Sequence, residues 1–119
     1  MRIEISRNQI SLDLVSEDKK EYYGFVVLGP YKDGHLLHKL FVMVEHRGKG
    51  VGNRLIREAA EIGKGALYIV PGSFANSPLT DEQLRDWYLR LGFVFVPGHA
   101  NFLRLSGLSA LRSVEPQAN

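Results

Sequence analysis

Between residues 35 and 70 the periodicity of this chain changes twice, and that change limits its fold more than any other feature. His35 to Val44 (HLLHKLFVMV) is largely apolar, the pattern of a long buried strand. Gly50 to Ile62 places Val51, Leu55, Ile56, Ala59 and Ala60 on one face of a helix. Asn53, Arg54, Arg57, Glu58 and Glu61 fill the other face. Gly63 and Gly65 stop the helix, and Ala66 to Val70 (ALYIV) is a second buried strand. A strand–helix–strand unit of this kind requires strands 35–44 and 66–70 to lie parallel, joined by a right-handed crossover.

The flanking sequence fills in the rest. Residues 2–5 and 9–15 alternate apolar and polar, as half-buried strands do, and Tyr22 to Leu28 (YYGFVVL) is rich in strand formers. Gly29 to Gly34 reads as a turn. Residues 73–79 read as a loop. Thr80 is the expected N-cap of a second helix, with Leu84, Trp87, Tyr88 and Leu91 on one face and Gly92 at its end. Phe93–Val96 and Asn101–Leu105 read as strands around a Pro97-Gly98 turn. The expected fold is α+β, a mixed sheet of about seven strands in the order β-β-β-β-α-β-α-β-β. A single domain is expected over residues 1–105, followed by a fraying tail over 106–119.

Composition narrows the chemistry. The chain has 119 residues and no cysteine, so a thiol nucleophile, a thiolate metal site and a disulfide are all excluded. The net charge of +2 is too small to argue by itself for nucleic acid. No apolar run reaches the roughly 20 residues of a membrane-spanning helix. Arg2 to Ser6 offers none of the apolar stretch a signal peptide needs. A cytoplasmic protein without membrane contact is the expectation.

Three glycines, Gly48, Gly50 and Gly52, stand between the first strand and the helix, with Arg47 and Lys49 among them. Glycine allows close approach of backbone to ligand, and a helix start presents unpaired N–H groups and partial positive charge. The loop therefore suits a phosphate-bearing ligand. A tight strand-to-helix turn with solvated cations is the plainer reading of the same residues. A Walker loop is disfavoured because Gly48-Lys49 is followed by Gly50, where Ser or Thr is needed. A Rossmann fingerprint is disfavoured by the G-x-G-x-G spacing.

The pattern Arg47-Gly48-Lys49-Gly50-Val51-Gly52 resembles the Arg/Gln-x-x-Gly-x-Gly/Ala signature of the GNAT superfamily of N-acetyltransferases. Leu40 to His46 resembles the strand before that signature. Trp87-Tyr88-Leu89-Arg90-Leu91-Gly92-Phe93 resembles the family's second landmark, which ends in Leu-Gly-Phe. The likeness covers residues 22–105. It implies a sheet splayed between the fourth and fifth strands, with acetyl-CoA in the gap. It implies that the loop Arg47, Gly48, Lys49, Gly50, Val51, Gly52 and Asn53 holds the pyrophosphate. It implies that the strand segment Phe41, Val42, Met43 holds the pantetheine arm, through the main chain of Phe41 and Met43. Tyr88 would protonate the leaving thiolate. The family's N-terminal helix pair has no counterpart, which leaves an acceptor site that is open, completed by a second copy of the chain, or lost.

An amine nucleophile must shed a proton. Strand 35–44 holds no carboxylate but does hold His35 and His38. The family resemblance includes a histidine at the position of His38 in arylalkylamine N-acetyltransferases, and an imidazole titrates in the range a base near neutrality needs. A solvated rim histidine is the bland reading. The resemblance implies an N-acetyltransferase that acts on a primary amine in a ternary complex. A silent acyl-CoA-binding module and an acetyltransferase acting on charged tRNA are the rival readings.

Overall fold

The structure is a computed structural model, and it describes residues 2–6, 8–72 and 79–112. Seven strands form one sheet: β1 (Arg2–Ile5), β2 (Ile10–Val15), β3 (Tyr22–Tyr31), β4 (Gly34–Val42), β5 (Ala66–Ile69), β6 (Val94–Phe95) and β7 (Leu103–Leu105). Helix α1 (Val51–Gly63) joins β4 to β5, and helix α2 (Asp81–Leu91) precedes β6. The strand order is β1-β2-β3-β4-β5-β7-β6, antiparallel throughout except for β4 and β5. The parallel crossover and the mixed seven-stranded sheet agree with the sequence reading.

Several boundaries differ, each for a physical reason. Residues 29–31 are strand, not turn, and the reversal is the two-residue step Lys32-Asp33, with Lys32 at φ 44°. Pro30 is tolerated because β2 has stopped pairing at Leu28, so β3 there has a neighbour on one side only. Strand β4 ends at Val42, and Val44–His46 is a short 3-10 turn. Gly50 is the N-cap of α1 and Gly63 its last residue. Thr80 does cap α2, in a reciprocal pair with Gln83, and Gly92 ends it at φ 114°. Part of the expected tail is placed against the domain. Leu108–Ala110 is a 3-10 turn, and the Arg112 N–H donates to the Leu91 carbonyl at 2.7 Å. Residues 73–78 of the expected loop and 113–119 of the tail lie outside the described residues.

Alternation decides which face is core. Leu12, Val26, Leu28, Leu37, Val42, Leu67, Leu103 and Leu105 are buried together with Leu55, Ile56, Ala59 and Ala60 of α1 and Leu84, Trp87 and Leu91 of α2. A leucine or isoleucine fully withdrawn from water contributes about 1.5–3 kcal/mol, so this face holds the sheet to both helices. The opposite face carries Phe25, Val27, Leu36, Phe41, Tyr68 and Arg104. No helix among the described residues covers it.

Candidate active site

Strands β4 and β5 pair over three positions only: Gly34 with Ala66, His35 with Leu67 and Leu36 with Tyr68. Beyond Leu36 the two diverge, so the carboxyl half of β4 has no strand beside it on the β5 side. The sheet is thus split where a parallel pair opens at its carboxyl ends, the place where open α/β sheets receive ligands.

One edge of the split is a row of main-chain groups. The Met43 N–H donates to the Tyr23 carbonyl at 2.9 Å. Tyr23 and Met43 continue the β3–β4 register, and hydrogen-bonded pairs alternate along an antiparallel ladder. Phe41, paired with Phe25, is therefore in the same phase and also turns its N–H and C=O toward β3. Phe41 and Met43 were the expected main-chain partners of a pantetheine arm, and their polar groups are already committed. Leu40 and Val42 point theirs into the split. The signal was available in the strand's period of two, but its phase needed the register.

The other end of the split is the start of α1. Gly48 and Gly50 have φ of 77° and 84°, the left-handed region that favours glycine. The two helices differ sharply at their N-termini. Helix α2 has a side-chain cap and two carboxylates in its first turn. Helix α1 has no side-chain cap and no acidic residue in its first turn, so the main-chain N–H groups of Val51 and Gly52 lie at a positive helix end that no carboxylate of that turn offsets. Arg47 folds back instead of outward. Its Nε donates to the Val42 carbonyl at 3.1 Å and its guanidinium lies 5.7 Å from the Phe41 ring centre. Lys49 is exposed on the same loop. The loop thus places an uncapped helix start beside the strand amides of Leu40 and Val42.

His38 lies at the split on the helix-free face. The β3–β4 register shifts between Val27 and Leu28, so that Lys39 and Leu37 are paired and His38 is the extra residue of a bulge. It is exposed, and its imidazole covers Gly29, where any Cβ would collide with the ring. His35 lies on the other face, with its ring against Gly63 of α1 and its buried Nδ1 without a hydrogen-bond partner. The two histidines thus sit on opposite faces, and the open one is His38.

Tyr88 is in the core. It is 3% exposed, packed between Trp87 at 4.8 Å and Phe93 at 5.3 Å. Burial pushes its phenol above the ordinary tyrosine range. It is neutral at physiological pH, and its ring is held among aromatic side chains.

No curated protein matches the chain in sequence. A family described as the acetyltransferase (GNAT) domain matches residues 13–95. Among solved structures, a KacTA–DNA complex is similar with a TM-score of 0.69 at 20% identity, over 89% of this chain and 72% of that one. The anti-CRISPR protein AcrVA5 has a TM-score of 0.59 at 16% identity, over 81% of this chain and 98% of that one. An aminoglycoside 6'-N-acetyltransferase complexed with coenzyme A has a TM-score of 0.59 at 19% identity, over 85% and 74%. At these identities the likeness is one of fold.

Proposed function

Because this chain belongs to the GNAT acetyltransferase family, we propose that it binds acetyl-CoA in the β4–β5 split and transfers the acetyl group to a primary amine by direct attack. The observation that carries this is the uncapped start of α1, with its two left-handed glycines, at the end of a slot lined by the amides of Leu40 and Val42. The pyrophosphate sits on the N–H groups of Val51 and Gly52 at the start of α1, near Lys49. The pantetheine arm extends along β4 as an added strand, and Arg47 gives up the Val42 carbonyl to admit it. Both helices pack on the core face of the sheet, so the amine approaches from the helix-free face, past His38.

In the reaction the amine nitrogen attacks the acetyl carbonyl carbon, and the carbon–sulfur bond breaks as the amide forms. The amine proton leaves to His38, and the departing thiolate takes a proton from Tyr88. Calorimetric titration with acetyl-CoA, ATP and NAD tests the binding, and thiol release over an amine panel tests the transfer. Binding of acetyl-CoA alone, with thiol release, is the expected result. Tight NAD binding without response to acetyl-CoA overturns it.

A second reading has its own support. Tyr88 is buried among Trp87 and Phe93, and a silent acyl-CoA-binding module needs no acid there. Acetyl-CoA binding without thiol release for any amine selects this reading.

A further inference from the structure

The two halves of the sheet meet across a three-residue ladder, and backbone and side-chain contacts reinforce its closed end. A Cβ at Gly34 would collide with the Ala66 carbonyl, and one at Gly65 would come within 2.6 Å of the Asp33 carbonyl oxygen. Backbone meets backbone there without intervening side chains. On the helix-free face three side chains from three elements converge over the same point. The Tyr68 hydroxyl of β5 donates to Asp33 Oδ1, in the β3–β4 turn, at 2.6 Å. Arg104 of β7 reaches Asp33 Oδ2 at 2.6 Å, and its Nε donates to the Tyr68 hydroxyl at 3.2 Å. The Tyr68 ring is wedged by Tyr31 at 4.8 Å and Phe102 at 5.6 Å.

We propose that Asp33, Tyr68 and Arg104 form a clamp that fixes the opening of the β4–β5 split, making them positioning residues for the acyl-CoA arm. An exposed ion pair alone contributes little. This one closes a cycle of three hydrogen bonds around a tyrosine that is 5% exposed, and it joins elements on both sides of the split. Hydrogen bonds from Tyr68 and Arg104 hold the Asp33 carboxyl below its usual range, so the cycle stays ionised at neutral pH. The consequence for the cofactor rests on the acetyl-CoA reading, whereas the consequence for geometry does not.

The test therefore has two arms. The chain has no native cysteine, so spin labels at Lys39→Cys and Val70→Cys report the distance across the split. Arg104→Ala and Asp33→Asn, confirmed folded by circular dichroism, are expected to widen that distance distribution, and Arg104→Lys to restore much of it. An unchanged distribution overturns the clamp whatever the ligand. In the second arm, acetyl-CoA should bind the clamp variants about fivefold more weakly, the ratio that a coupling of about 1 kcal/mol gives. Adenosine 3',5'-bisphosphate, which lacks the arm, should bind them as it binds the native chain. Equal weakening of both ligands overturns the positioning role. A native chain that binds no acetyl-CoA overturns the functional reading alone, because the label distances still decide the clamp.

Discussion

The Trp87 indole nitrogen donates a hydrogen bond of 3.0 Å to the Asn53 side-chain oxygen. Asn53 is in the first turn of α1, and Trp87 precedes Tyr88 on α2. This bond ties the start of α1 to the helix that carries the candidate acid. Trp87 is fully buried, so its N–H has no access to water if the partner is lost. Asn53→Ala is expected to cost about 1–3 kcal/mol, the range for stranding a buried donor. Denaturant unfolding followed by Trp87 fluorescence measures it. An unchanged midpoint would show that the indole finds another acceptor and that the tie is dispensable.

Gly50→Ala is expected to weaken acetyl-CoA binding at least tenfold, about 1.4 kcal/mol. The added Cβ would stand at the helix start where the pyrophosphate must approach closely. Gly98→Ala is the control, because Gly98 has a φ of 82°, close to the 84° of Gly50, in a turn between β6 and β7. Both substitutions carry the same backbone strain, and only one lies at the start of α1. Equal affinity in the two variants would reduce the loop to a structural turn.

Tyr88→Phe is expected to lower kcat by about 10²–10⁴-fold with acetyl-CoA affinity nearly unchanged, since a late proton transfer contributes to the transition state and not to ground-state binding. Burial raises the Tyr88 phenol above its ordinary value, and the sign of the linkage follows. The neutral form is retained at all pH below about 10, the unfolded value, and the native state loses stability only as pH rises beyond it. Activity should therefore show no decline from Tyr88 below about pH 10. The phenylalanine variant should lose the share of the alkaline destabilisation that Tyr88 contributes, while Tyr22, whose phenol is raised by burial and by Asp13, keeps its own. Full turnover in that variant would return Tyr88 to the core and favour the silent module.

Much of this architecture was legible because local chemistry and global fold agree. The helix pattern from Val51 to Ile62, the glycine loop and the Thr80 cap each have a cause within a few residues. Pro30 misled because a proline in a strand is judged against both neighbours, and only the sheet order shows that one neighbour is missing. The main-chain partners misled more instructively. Strand β4 was recognisable, but which of its residues face the split is a question of phase, fixed by the Met43–Tyr23 hydrogen bond across the ladder. The clamp at Asp33, Tyr68 and Arg104 lies in three segments, with Asp33 and Arg104 71 positions apart, and no local pattern joins them. Tyr88 shows the limit of a motif. Its neighbours match a landmark, while its surroundings in space are those of a core residue.

His38→Ala carries the last prediction. His38 is the bulged residue of β4, exposed at the split, whereas His35 packs against α1 on the opposite face. If an imidazole at position 38 deprotonates the acceptor, kcat/KM in the native chain rises with pH through an inflection set by that base and then levels off. Removing it should abolish that inflection. The slower residual rate should then climb through the acceptor's own ionisation, about 10.4 for a lysine-like amine. His35→Ala should keep the native profile, because its ring faces the helix and not the amine's path. A bulge also makes the site sensitive to geometry, so His38→Gln, which keeps polarity and much of the bulk, should follow alanine and not the native chain. An inflection that survives both substitutions would assign the ionisation to another group or to the amine itself. The acyl transfer would then proceed without a base at position 38.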